Sequence, residues 1–490
     1  MVTRILLLAA ITENLISVKD WSCFFAVPIF FSIFASQKNI IIMIDIKGKY
    51  CKDIKVFTDN IEEEALASLY RISESLAFKD KKIRVMPDVH QGKGNAVIGF
   101  SCPIDIEKDN VNPEYIGCDI GCTVSISFFT KPIQSDKIKE FEHKLKNTIP
   151  MGFAINERKK VDVKTILKEF NSSLHKLVSC YPLFSSYIPS FKEERDLEKW
   201  CSKIRIDYGT FLKSIGTVGG GNHYLEYDES DDGKYGVCVH CGSRNLGLKV
   251  FSYWNNIAKS MTISKEEMRL LTDDVKSKNK DKKKLGEEIK AAKEEYLKDK
   301  IPGFINGSNL IGYLIDVCLA QTYAKINHMV IHSQIEDIYK KLSDGGKKCD
   351  EIYTTHNYID YDFKALSGSP KMMIRKGAIR AYSGERCIIP FNMKEGISIC
   401  EGKSNEDWNF TAPHGCGRLF SRSKAKELLD VDEFKEEMEK AGVYTTTANS
   451  STIDESPDAY KPKDEIVRLI EPTVNILYFM KPKINIKASE

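Results

Sequence analysis

From Met43 onward, apolar and polar residues alternate along "IDIKGKYCKDIKVFT" (44–58), the period-two pattern of paired strands. The next stretch, "IEEEALASLYRISES" (61–75), has apolar positions three and four apart behind leading acidic residues, which predicts a helix. Two β-branched and aromatic runs, "AVIGFSCPIDI" (96–106) and "TVSISFF" (123–129), are bounded by Gly, Pro and Asp. They predict buried strands that flank the loop "EYIGCDIGC" (114–122) and deliver it to one place. Helical spacing recurs around 138 to 205, in stretches such as "VKTILKEFNSSLHKLVSC" and "ERDLEKWCSKIRIDYGTFLKSIG", and turn-plus-strand patterns follow in "TVGGGNHYLEY" and "YGVCVHCGSRNLG". Residues 262–300 are rich in Lys and Glu and predict a solvated helical hairpin inserted into the fold. A long amphipathic helix is predicted through "GYLIDVCLAQTYAKINHMVIHSQIEDIYKKL", another helix in "SKAKELLDVDEFKEEMEKAG", and a strand near the C-terminus ending in "INIK". No repeat or low-complexity linker interrupts the pattern. The expectation is α+β: one large compact domain of mixed strands and surrounding helices over 43–487, with 488–490 as a tail.

Composition narrows this only a little. The 490 residues are 42% hydrophobic and 29% charged, a globular composition rather than a disordered or fibrous one. The net charge of +3 requires any nucleic-acid surface to be a local basic patch. Fourteen cysteines are scattered without the spacing of a disulfide scaffold or of repeated zinc knuckles, which points to a reducing compartment, and the cytoplasm is expected. The apolar run "CFFAVPIFFSIFA" (23–35) is too short for a spanning helix and contains Pro28. Residues 1–42 are therefore expected to be an apolar extension outside the fold, without stable membrane association.

The chemistry concentrates in the histidines. Of nine, His90, His223, His240, His356 and His414 sit at glycine-rich or strand-edge positions. Asp119 and Cys122 in "CDIGC" can present both side chains to one ion, so a nitrogen, oxygen and sulfur ligand set is available. Imidazole and carboxylate suit Mn, Fe, Co or Zn, and Cys122 could bridge two ions. His328 and His332 are four apart on a predicted helix, but without the glutamate of an HExxH motif a core or surface helix role is expected. There is no G-x4-G-K-[ST] loop, so any nucleotide phosphates must be held by metal ions and isolated cations. In "APHGCGRLFSRSKAK" (412–426) His414 lies at a glycine pair upstream of Arg418, Arg422, Lys424 and Lys426. Two readings stay open there: a helix start with a surface histidine, or a site approached by an anion.

Eight ordered motifs, "MPDVHQGKG", "YIGCDIGC", "GGGNHYLE", "HCGSRNLG", "THNY", "RKGAIRAYSGE", "HGCGRLFSRSKA" and "DAYKPKDEI", resemble the RtcB family of GTP-dependent RNA ligases, and the resemblance runs from about Met43 to Lys487. It implies a single RtcB-like domain that joins RNA 3′-phosphate or 2′,3′-cyclic phosphate ends to 5′-hydroxyl ends, using GTP and two Mn(II) ions. Carried over by position, it implies Asp119, Cys122, His223, His240 and His356 as metal ligands and His414 as the nucleophile that forms a GMP-histidine intermediate. The implied GTP contacts are Asn222, His223, Tyr224, Leu225, Glu226, His356, Asn357, Pro390, Asn392, Met393, His414, Gly415, Cys416, Gly417, Tyr460 and Lys487. Asp88, His90, Arg375, Lys376 and Arg380 are candidate RNA contacts. The implied partners are RNA with such ends and an archease-type activator, in tRNA splicing or RNA repair. Cys416 stands where the family usually has alanine, and Phe391 and Asn392 where many members have Gly and Ser. Two other classes are carried forward: a metal-dependent phosphoesterase acting on nucleic acid or nucleotide, which would need neither GTP nor His414, and a non-catalytic RNA-binding member, for which loss of a ligand position is expected.

Overall fold

A computed structural model describes residues 29–36, 39–92, 94, 96–262, 265–278, 284–297 and 303–488. Two seven-stranded sheets organise them. The first contains β1 (Ile29–Ser36), β2 (Asn39–Ile46), β3 (Asp53–Val56), β4 (Lys82–Gln91), β5 (Val97–Ile104), β10 (Asn357–Asp360) and β11 (Met372–Lys376), in the order β1-β2-β3-β4-β5-β11-β10. The second contains β6 (Thr123–Phe129), β7 (Tyr224–Glu229), β8 (Tyr235–Cys241), β9 (Lys348–Thr355), β13 (Arg386–Pro390), β14 (Ile397–Gly402) and β16 (Val474–Lys487), in the order β13-β14-β16-β7-β8-β6-β9. A two-stranded ribbon, β12 (Ala378–Arg380) with β15 (Thr411–Pro413), accompanies them. Among the named strands only β3 and β4 pair in parallel, and the helix between them, α1 (Glu63–Ser73), supplies the crossover that a parallel pair requires.

Most helical segments fall where the periodicity places them: α2 (Ile138–Thr148), α3 (Val163–Cys180), α4 (Glu194–Ile204), α5 (Tyr208–Lys213), α7 (Lys265–Lys278), α8 (Leu285–Leu297) and α9 (Gly307–Leu342), whereas α6 (Arg244–Thr262) begins inside the "HCGSRNLG" stretch that reads as turn plus strand. The start of α4 shows the local logic. A capping box between Glu193 and Asp196 satisfies its first amides. Leu197, Trp200, Cys201 and Ile204 then fall on one buried stripe. Burying Leu197 and Ile204, each no more than 1% exposed, contributes about 2 kcal/mol per side chain.

Helix α9, about 54 Å long at 1.5 Å per residue, runs through both cores. Its Leu310, Tyr313, Leu314 and Tyr323 pack with the first sheet's core, whereas Ile331, Ile335 and Tyr339 pack with Leu225, Tyr227 and Val239 of the second. His328 and His332 are buried on it, and both bond Ser125 Oγ at 2.6 Å, so of the two roles expected, core or surface, the pair has the core one. Helices α7 and α8 form the charged hairpin, where the Tyr296 hydroxyl donates to Glu267.

The N-terminal boundary differs from expectation. Met43 lies inside β2, which begins at Asn39, and β1 pairs antiparallel with it from Ile29 to Ser36. Residues 29–36 and 39–42 thus extend the first sheet at its edge. The remainder of the extension lies outside the described residues. No helix among the described residues is long and apolar enough to cross a membrane.

Candidate active site

The chain crosses between the two sheets in the β5–β6 and β9–β10 connections, and both crossings carry candidate residues. The β5–β6 connection holds Asp119 and Cys122. His356 is the single residue between β9 of the second sheet and β10 of the first, and its amide donates to the Cys122 carbonyl at 2.9 Å. His223 precedes β7, His240 lies in β8, and His414 follows β15. The site is a seam between sheets.

The five candidate ligands converge as two triads that share Cys122: Asp119, Cys122 and His223, and Cys122, His240 and His356. Cys122 Sγ lies 3.3 Å from His223 Nε2 and 3.2 Å from His240 Nε2, and His240 Nε2 lies 3.2 Å from His356 Nε2. His223 Nε2 is 3.0 Å from Asp119 Oδ2. Donors spaced about 3 Å apart suit an ion with ligand bonds of about 2.0–2.3 Å. The Asn222 carbonyl, 3.0 Å from His240 Nδ1, can only accept, so Nδ1 carries the proton and Nε2 turns a bare lone pair to the triad. Burial keeps His240 and His356 far below the ordinary imidazole range, and the imidazoles around them act in the same direction. Burial alone would raise Asp119, but His223 outweighs it and holds the carboxyl at about 2. Burial pushes the Cys122 thiol well up, with Asp119 adding to it, so a thiolate here needs cationic company. The neutral imidazoles of His240 and His356, the His223 ring, an ionised carboxylate and a thiol, packed at ligand spacing, fit divalent cations. Glycines make room for this: a Cβ on Gly242 would lie 2.3 Å from Asp119 Oδ1, and one on Gly219 2.0 Å from His223 Nδ1.

His414 stands beside this centre, its ring 4.9 Å from that of His356. Asp88 Oδ2 accepts from both His414 N–H groups, the backbone amide at 3.0 Å and Nδ1 at 2.5 Å. The carboxylate thereby fixes the tautomer: Nδ1 holds the proton and Nε2 is free to attack. Asp88 itself is fully buried. Gly417 has φ +72°, and a Cβ there would lie 2.3 Å from the Asp88 carbonyl oxygen, so this glycine is demanded by close packing against β4. Of the two readings of this stretch, the surface histidine fails.

A cavity of about 710 Å³ opens from His414. Asn222, Tyr224, Glu226, His240, Pro390, Asn392, Met393, Gly415, Cys416, Gly417, Tyr460 and Lys487 line it, together with His90, Arg418 and Arg422. Within it Asn392 closes an Asx turn, its Oδ1 accepting from Lys394 and Glu395, and Cys416 is 1% exposed, packed with Phe391 and Ile466. Lys487 Nζ lies 2.9 Å from Glu455 and 5.1 Å from the Tyr224 ring centroid. Glu455 also draws in Arg418 at 3.2 Å and Arg422 at 2.8 Å. Burial would raise that carboxyl, but Lys487, Arg422 and Arg418 hold it far below the usual carboxylate range.

Several expected contacts are placed elsewhere. Leu225 turns to the opposite face of β7 and is fully buried in the second core, as strand alternation requires. Asn357 braces the backbone: its Oδ1 accepts from Gly377 at 2.8 Å and its carbonyl from Gly121 at 2.7 Å. His223 and His356 belong to the ligand cluster. Arg375 cannot track RNA phosphates, because it is 0% exposed and its guanidinium bonds Asp360, Tyr358 and Thr411. Lys376 is also buried, its Nζ 3.5 Å from the Ile116 carbonyl. Arg380 is half-exposed, paired with Glu385 at 2.8 Å and Asp362 at 3.4 Å, and lines a separate groove of about 640 Å³. His90 bonds the Asp88 carbonyl at 2.9 Å, and burial keeps its imidazole down at about 3 despite that bond, with His414, Arg418 and Lys461 also lowering it. Sequence reasoning missed Glu455, and it took Asp88 for an RNA contact rather than the partner of His414. The only signal for Asp88 is the Asp-x-His in "PDVH", which does not reveal its partner.

A donor cluster for divalent cations, beside a tautomer-fixed histidine that lines a cavity, is the arrangement of a metal-dependent enzyme. The chain matches the family described as tRNA-splicing ligase RtcB over residues 71–488, and it belongs to that family. It is similar to RNA-splicing ligase RtcB of Escherichia coli K12, 26% identical over 89% of this chain and 97% of that one. It is also similar to the tRNA-splicing ligases RtcB of Aeropyrum pernix, at 27% identity, and Archaeoglobus fulgidus, at 26%, each over 79% of this chain and 83% of the relative.

Proposed function

We propose that this protein is an RNA ligase that joins 3′-phosphate or 2′,3′-cyclic phosphate ends to 5′-hydroxyl ends through a guanylylated His414, with GTP and Mn(II). The relatives named as RNA-splicing and tRNA-splicing ligases support the reaction class. The observation that carries the mechanism is the Asp88–His414 pair, which frees Nε2 within the cavity. His414 Nε2 attacks the α-phosphorus of GTP, a P–N bond forms, and the bond to the departing pyrophosphate breaks. The growing imidazolium charge is balanced by Asp88. An oxygen of the RNA 3′-phosphate then takes the guanylate, returning the electron pair to Nε2. The 5′-hydroxyl attacks the activated 3′-phosphorus, GMP leaves, and the hydroxyl proton passes to solvent or a neighbouring base. A cyclic phosphate end is first opened by water.

Asp119, Cys122, His223, His240 and His356 would hold the ions, which supply Lewis-acid charge to phosphoryl oxygens. Tyr224, Tyr460, Glu226 and Lys487 line the cavity that would take the nucleotide, and Arg418 and Arg422, paired with Glu455, belong to the same lining. The test is joining of an RNA carrying a 2′,3′-cyclic phosphate to one carrying a 5′-hydroxyl, with and without GTP and Mn(II). Joining that needs both supports the proposal. Phosphate release without joining, independent of GTP, would establish the phosphoesterase instead.

A further inference from the structure

Strand β7 turns Tyr224, Glu226 and Asp228 to one face, since side chains two apart share a side. In the sheet, Glu226 lies opposite Cys238 of β8 and Asn485 of β16, and Tyr224 opposite Lys487. Glu226 lines the cavity; Asp228 lies deeper and is 0% exposed. Neither carboxyl oxygen of Asp228 has a donor partner in the protein, and Asn485 Oδ1 also lacks one. The neighbour within hydrogen-bonding reach of Asp228 is the Glu226 carboxyl group. The titratable groups facing the pair are Tyr224 on β7, Cys238 on β8 and Lys487 on β16, and the Lys487 ammonium is already bound to Glu455.

Two adjacent buried carboxyls cannot both ionise, so one proton remains between them. The Asn485 amide donates to Glu226 and the positive charge of Lys487 favours its ionised form, whereas neither serves Asp228. Burial raises both groups, Glu226 to about 7 and Asp228 well above the ordinary carboxylate range, with Glu226 adding to the rise at Asp228. We infer that Asp228 is a positioning residue for base selection: it keeps the pair's single proton and donates it to Glu226, so that Glu226 meets the cavity as a carboxylate acceptor. The ligand feature read this way is a nucleobase edge with two neighbouring N–H donors, as on guanine. Adenine presents a ring acceptor at the corresponding place and would leave the carboxylate unpaired. Without Asp228, Glu226 would take the proton itself and lose this preference.

The inference rests on the guanine-nucleotide reading of the cavity, but its proton-holding half is testable without nucleotide. The native state keeps a proton that the unfolded chain releases above about pH 4, so the pair makes stability fall as pH rises. In thermal melts of the full-length protein between pH 6 and pH 9, Asp228→Asn, which retains a donor but cannot titrate, is expected to flatten the fall in Tm seen in wild type. An unchanged slope would overturn proton-holding. In labelling with α-labelled GTP or ATP, Asp228→Asn should keep the wild-type selectivity within about threefold. Asp228→Leu should lower it about tenfold or more, through KM rather than kcat. Wild-type selectivity in Asp228→Leu, or its loss in Asp228→Asn, would overturn the specificity role. Flattened melts with no label from GTP on wild type would reject the nucleotide reading, and the specificity role with it.

Discussion

Replacing Asp88 by Asn probes the pair on which the mechanism depends while keeping the side chain's shape. In the native site, one oxygen of Asp88 receives both the amide and the Nδ1 proton of His414, at 3.0 and 2.5 Å. Hydrogen bonds to a charged group contribute about 1.5–3 kcal/mol, against about 0.5–1.5 for neutral pairs. If the Asn oxygen keeps both contacts, the lost charge removes about 1–3 kcal/mol of support for the imidazolium that forms on attack. At about 1.4 kcal/mol per tenfold, this is a loss of about 5- to 150-fold. If the amide nitrogen faces Nδ1 instead, the tautomer inverts and Nε2 carries the proton. The analogous substitution in a serine-protease triad costs about 10⁴-fold. The assay is single-turnover transfer of label from α-labelled GTP to protein at saturating nucleotide. The expected rate lies about 5- to 10⁴-fold below wild type, with little change in KM for GTP. A folded Asp88→Asn protein labelled within twofold of the wild-type rate would refute the reasoning.

Other substitutions separate support from chemistry. Arg375→Met leaves the Asp360 carboxylate buried without its 2.5 Å partner, so it should destabilise by about 3–5 kcal/mol in denaturant melts. The salt dependence of RNA binding should stay unchanged, because this guanidinium makes no phosphate contact. Glu455 is held low by its cations, so its stabilising contribution is full above the unfolded glutamate value of about 4.3 and is lost as pH falls through the native value. Glu455→Gln should therefore be less stable at pH 7 and lose less further stability in acid than wild type, as read by melts from pH 7 to pH 3.

Much of this architecture was legible because periodicity and turn residues act locally. The helices at Glu194–Ile204 and Gly307–Leu342 and the strands at Thr123–Phe129 and Tyr235–Cys241 follow their patterns. The metal candidates were legible because each sits in a distinctive motif at a glycine-rich or strand-edge position. Partnerships made by distant segments were not legible. Asp88 and His414 are 326 residues apart, and Glu455 gathers cations from two separate stretches. Arg375 read as a surface cation because its counter-charge, Asp360, comes from a neighbouring strand. Leu225 follows the opposite logic: its turn away from the cavity into the second core was implicit in strand alternation, but the motif around it drew attention to the whole string.

The central claim is that His414 becomes covalently guanylylated. Wild-type protein and His414→Ala, both loaded with Mn(II), are incubated with α-labelled GTP, denatured, and examined for bound label. The account predicts acid-labile label on wild type alone. Equal label on both proteins, or none on a folded, metal-loaded wild type, would contradict it.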